Sequence, residues 1–307
     1  MGEACGEAKR PPVLLPFGAM RLLALLTLLA ASGCAAPSFV GNTGRVAPKG
    51  AFRAGFGSGY QVNTQAAEIV RDGRDLAENL RSKATSCPNG ADQCWNVADV
   101  EPVVDAAFRF ALVAPLSSHS EVSVRYGFAP GFDAGIHWGP DSKAIDLGFQ
   151  AFGPRDASAE GWAGTVLLGG GTRDLGTFGD VIESVLHGEA GLTDYQLAFV
   201  AGRQWREIAH TYVGARYTLT RWKVQVIPDL PIVYDGGEAQ KTLLGTDASG
   251  LVHTSGGVLG AAIGYRHVFV GAELNLLYTA GTAEVLFRER DLGAFGVMPA
   301  VYLYGQY

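Results

Sequence analysis

Charge is scarce in this chain. Asp, Glu, Lys and Arg make up 18% of its 307 residues, and the formal net charge is −6. So little positive charge gives no basic stripe for a phosphate backbone, and no nucleic-acid partner is expected. Long apolar runs are missing after residue 34, which excludes a spanning helix of about 20 residues. Spacings that carry chemistry are missing too. The six histidines (His119, His137, His187, His210, His253 and His267) show no metal-ligand spacing, and neither H-E-x-x-H nor G-x-S-x-G occurs. Gly169-Gly170-Gly171 lacks the Lys-Ser/Thr of a phosphate loop. Gly55-Phe56-Gly57-Ser58-Gly59 lies inside an alternating run, where small residues make room for packing. No metal, no cofactor and no enzymatic activity are expected. Cysteine is limited to four, and Cys5 and Cys34 fall near the amino terminus. The other two, Cys87 and Cys94, bracket Pro88-Asn89-Gly90, a turn that can bring two sulfurs together. In an oxidising compartment this pair is expected to be a disulfide.

One positive charge, Arg21, precedes a Leu-rich run of about ten residues, the layout of a secretory signal peptide. The run closes on Ala31-Ser32-Gly33-Cys34, which resembles a bacterial lipobox. The resemblance implies cleavage before Cys34 and an acyl chain such as palmitate on that residue. Ala31 stands where Leu is usual, so ordinary cleavage near Ala36 is the alternative. Residues 1–33 are thus read as leader and signal peptide, with translation starting at Met20.

Residues 34–50 carry no periodicity and read as a tether. A barrel domain is expected over 51–307. It opens with Phe52, Ala54, Phe56, Tyr60 and Val62 on one face, opposed by Arg53, Gly55, Gly57 and Gln61. Residues 64–83 change period: Ala66, Ile69, Val70, Leu76, Ala77 and Leu80 mark an amphipathic helix. With the Cys87–Cys94 loop it makes an insertion over 64–102. From residue 103 the alternation returns in 103–112, 122–127, 132–138, 145–151, 162–169, 195–205, 211–219, 257–265, 268–279 and 295–307. Long gaps fall near 170–193, 227–254 and 280–294, and short ones near 153–160, 206–209 and 266–267.

One face of these runs is aliphatic with aromatic ends (Tyr126, Trp138, Tyr217, Tyr265 and Tyr278), and the other is Gly, Ala, Ser, Thr and Gln with a few charges. A soluble sandwich usually carries a charged outer face instead. Aromatic ends around an aliphatic middle, with a final Tyr307, resemble bacterial outer-membrane β-barrel proteins. That resemblance implies an all-β, antiparallel, transmembrane-type barrel of about 12 strands (10–12), an outer-membrane location and contact with membrane lipid. Residues 283–288 are taken as the twelfth strand, because a bacterial barrel takes an even number. Asp105, Arg109, Arg125, Asp133, His137, Asp146, Arg216, Arg266 and Glu273 are expected in a polar network within the lumen, since enclosed charges must pair or meet water. The function expected is structural or passive small-solute transport. A barrel enzyme, or a periplasmic sandwich that binds a partner, is the alternative.

Overall fold

The computed structural model describes residues 43–65, 71, 78, 82, 116–155, 160–174, 190–226, 246–285 and 288–307. Eleven strands run in order: β1 (Phe52–Asn63), β2 (Leu116–Ala129), β3 (Phe132–Trp138), β4 (Ser142–Phe152), β5 (Gly161–Asp174), β6 (Ala190–Trp205), β7 (Ala209–Val226), β8 (Thr246–Tyr265), β9 (Val268–Val285), β10 (Arg288–Asp291) and β11 (Ala294–Gln306). Each wall strand pairs antiparallel with the next, and β1 pairs with β11. The sheet therefore closes on itself.

The wall has ten staves, fewer than the twelve expected. Short β10 lies on the same side of β9 as β11, continuing it across Leu292 and Gly293, so 283–288 adds no separate stave. The strand expected at 103–112 lies outside the described residues, as do Asp105, Arg109, Cys34 and the Cys87–Cys94 pair. Of the expected helix, Arg71, Glu78 and Ser82 are described, each in helical conformation.

Stagger sets the shape. The row of hydrogen-bonded partners from Phe295 passes Tyr278, Ser255, Tyr217, Leu197, Leu168, Leu147, Ala134, Tyr126 and Phe52. It returns to the last strand at Tyr307, twelve residues beyond its start. With strands roughly 4.8 Å apart and a rise of roughly 3.3 Å per residue, that stagger tilts the strands by about 40° and makes a backbone cylinder about 20 Å across.

The two faces of the wall invert the polarity of a soluble protein. Outward positions carry Phe56, Ile136, Ile145, Leu259, Ile263 and Val301, all exposed. Inward positions carry Arg125, Asp133, Asp146, Asp194, Glu273 and Asn275, all buried. The five outward aromatics expected, Tyr126, Trp138, Tyr217, Tyr265 and Tyr278, all face outward. The long gaps near 170–193 and 227–254 recur as connections, but the one near 280–294 is largely strand, taken up by the end of β9 and by β10. Turns at 130–131, 206–208 and 266–267 share one end with Phe52, Tyr307 and the 153–160 connection, whereas the longest connections and the short 139–141 turn lie at the other.

Candidate functional site

The lumen is filled from the wall inward, and period two decides with what. On β2, β3 and β4, alternate residues place His119, Glu121, Arg125, Asp133, His137 and Asp146 side by side. Arg125 is the hub. Its Nε and Nη2 donate to Asp133 at 3.1 and 2.6 Å, and its Nη1 donates to Asp146 at 2.9 Å. His137 bonds Asp146 through Nε2 and Glu121 through Nδ1 at 3.3 Å, and Glu121 meets His119 at 3.1 Å. Three carboxylates are thus met by one guanidinium and two imidazoles away from water, and such partnering is the condition for keeping charges buried. Gly135 and Gly148 sit beneath them. A Cβ on Gly148 would stand 2.1 Å from Asp133 Oδ1 and 2.9 Å from Arg125 Nη2, so the network needs a bare wall there.

The opposite side is aromatic. Tyr212, Phe269, Tyr302 and Tyr304 pack inward with Val200 and Ala262. Phe269 stacks on Tyr304 with ring centres 5.1 Å apart, and Tyr212 donates to Glu273 at 2.8 Å. Glu273 also accepts from Asn275 at 2.9 Å. Tyr212 and Tyr302 lie over Gly260 and Gly271, whose absent side chains give the rings their space. Toward the far end, Arg173 forks onto Asp194 at 2.6 and 3.1 Å, and Thr220 donates to the same carboxylate at 2.5 Å.

The end that holds the start of β1 and the close of β11 is closed by the chain itself. Residues 43–48, expected to be part of a tether, run into the mouth instead. Thr43, Arg45, Val46 and Ala47 are buried. Ala47 N donates to Asp133 at 2.8 Å, Gly44 O accepts from Thr165 at 2.8 Å, and Arg45 O accepts from Arg53 at 3.1 Å. Gly44 adopts φ +79 and backs onto Gly202, where a Cβ would meet the Gly202 nitrogen at 2.5 Å. Below this segment a vestibule of about 550 Å³ opens, lined in part by Arg45, Arg53, Arg155 and His210.

Of the residues expected in the lumen, Arg125, Asp133, His137 and Asp146 come together. Glu273 lies across from them among the tyrosines. Arg216 faces inward from β7, with Glu273 and Glu121 as the opposite charges acting on it. Arg266 does not join. It is the exposed apex of the β8–β9 turn at φ 54, its guanidinium over Tyr265, because alternation does not carry across a turn. Glu121, His119, Arg173, Asp194, Arg45 and Arg53 were not singled out by spacing. Among the described residues no group of three or more His, Cys, Asp or Glu could hold a metal ion.

No protein-family profile matches this chain, and no curated protein matches it. Among solved structures it is similar to the crystal structure of Neisserial surface protein A, at 10% identity over 84% of this chain and 100% of that one, with a TM-score of 0.29. The fold is shown by the wall's own hydrogen bonding: a closed, ten-stranded, antiparallel barrel.

Proposed function

We propose that this chain is a lipid-anchored outer-membrane barrel with a structural role, its lumen closed to solute flow. The observation that carries the reading is the polarity of the wall. An all-round belt of exposed Phe, Ile, Leu, Val, Trp and Tyr is far larger than the apolar patches of soluble monomers. In a bilayer the same belt meets hydrocarbon, and a closed ring leaves no unpaired strand edge within it. Short turns at 130–131, 206–208 and 266–267, beside the start of β1 and the close of β11, match the periplasmic end of such barrels. Cys34 lies nine residues before Thr43, which limits its reach from the mouth to about 30 Å. An acyl chain there would enter the leaflet beside that mouth.

Side chains on both flanks and the 43–48 segment at the mouth favour a structural role over passive transport. After purification in mild detergent, the unboiled protein is expected to migrate ahead of the boiled protein on a gel. In planar bilayers it is expected to give no steady conductance. Discrete, voltage-independent current steps would move the reading to passive transport, and identical mobility before and after boiling would end the barrel reading. For the anchor, Cys34→Ala is expected to abolish incorporation of labelled palmitate and to leave the longer precursor. Unchanged labelling of that variant would remove the anchor from the proposal.

A further inference from the structure

We infer that the vestibule beside the start of β1 and the close of β11 is a binding site for a phosphate group, carried by a small solute or by a lipid head group. Arg53 is the reason. It points inward from β1 and is 6% exposed. Its Nη1 donates to the Arg45 carbonyl at 3.1 Å, its Nη2 to Gln306 Oε1 at 3.0 Å, and it lies 5.4 Å from the Tyr304 ring centre. None of these partners is a carboxylate, and Nε has no hydrogen-bond partner among the described residues. The acid whose field reaches it is Asp133. Both Asp133 oxygens are already engaged, Oδ1 by Arg125 and Oδ2 by Arg125 and the Ala47 amide. A buried guanidinium left without a contacting anion is costly, and an anion entering from the vestibule removes that cost.

The surroundings have the same sign. Arg45 is buried in the lining, and Arg155 and Arg266 stand exposed around it. Among the described residues, Glu207 is the one acidic side chain in that lining. The arginines arrive from the 43–48 segment, β1, the β4–β5 connection and the β8–β9 turn. Convergence from several directions suits a tetrahedral group with oxygens on all sides, whereas a planar carboxylate is satisfied by a single fork. A space of about 550 Å³ admits a phosphorylated small molecule rather than a bare ion alone. The site follows from the lining residues and stands whether or not the barrel conducts.

The test uses the full chain in a maltoside detergent, which carries no phosphate. Glycerol 3-phosphate and inorganic phosphate are titrated by calorimetry. In parallel, nanodiscs of phosphatidylcholine with and without phosphatidylglycerol are compared for phosphatidylglycerol retained through purification. Saturable glycerol 3-phosphate binding, weakened about tenfold or more by Arg53→Gln and also weakened by Arg155→Gln, is expected for a solute site. Retention of phosphatidylglycerol that depends on Arg53 and Arg155, without binding of the free probe, assigns the phosphate to lipid. Arg155→Gln changes an exposed residue, so it reports even where Arg53→Gln fails the heat-mobility check for folding. No binding of any phosphate probe, or binding equally weakened by Arg203→Gln outside the lining, would overturn the inference.

Discussion

Arg125 lies flat against the wall because Gly135 and Gly148 have no side chains beneath it. Gly148→Ala should push Asp133 off the guanidinium and leave buried charge unpaired. The expected loss is about 3–5 kcal/mol, read by urea titration in lipid vesicles. Gly191→Ala, at an outward position with open space around it, is the control and should change little. Stability equal in the two variants would mean the network does not hold the wall. Outward residues obey a different rule. Leu274 is 40% exposed near the middle of β9 and faces hydrocarbon if the belt is embedded. Leu274→Arg should cost about 2–4 kcal/mol in vesicles, while Leu274→Phe should be tolerated. Matching tolerance of Arg and Phe would argue against an embedded strand. Period two was enough to find Asp133, His137, Asp146 and Glu273, because each sits between outward apolar residues. It missed Glu121 and His119, since the start of β2, Leu116-Ser117-Ser118-His119-Ser120, has few apolar residues to alternate with.

At the level of elements, the unexpected one is the stretch from Thr43 to Pro48. Nothing in its composition marks it as internal. It has no period, and its placement depends on a bare Gly202 and on the Asp133 carboxylate, both remote in sequence. Gly202→Val would put its Cβ where Thr43 O now lies, a separation of 2.0 Å, and should expel the segment. Trypsin should then cut after Arg45 in the variant and spare the wild type, with the heat-mobility shift retained in both. Equal cleavage of both proteins would show that the segment does not occupy the mouth. Strand ends were harder to read than strand existence. β8 begins at Thr246, well before the alternation seen from 257, because Thr246-Asp247-Ala248-Ser249-Gly250 is polar or small on both faces. Hydrogen bonding to β7 continues there after the hydrophobic contrast has ended. The same contrast in Ala283, Val285 and Phe287 made 283–288 look like a stave of its own, when it covers the end of β9 and the start of β10.

Across the whole molecule, class was plain in the sequence and closure was not. Alternation says that strands have two unlike faces; it does not say which strand meets which. The seam supplies that answer, with Phe52 exchanging both backbone hydrogen bonds with Tyr307 and Arg53 reaching Gln306 across 253 residues of chain. This pairing has a consequence in time. A ribosome delivers β1 before β11, so no ring can exist until β11 has been made. Until the final strand arrives, the growing sheet has two raw edges and an outward face as apolar as a membrane, both of which invite pairing with other chains. The ring can therefore close only after β11 has been made, and until then its edges and its apolar face need cover.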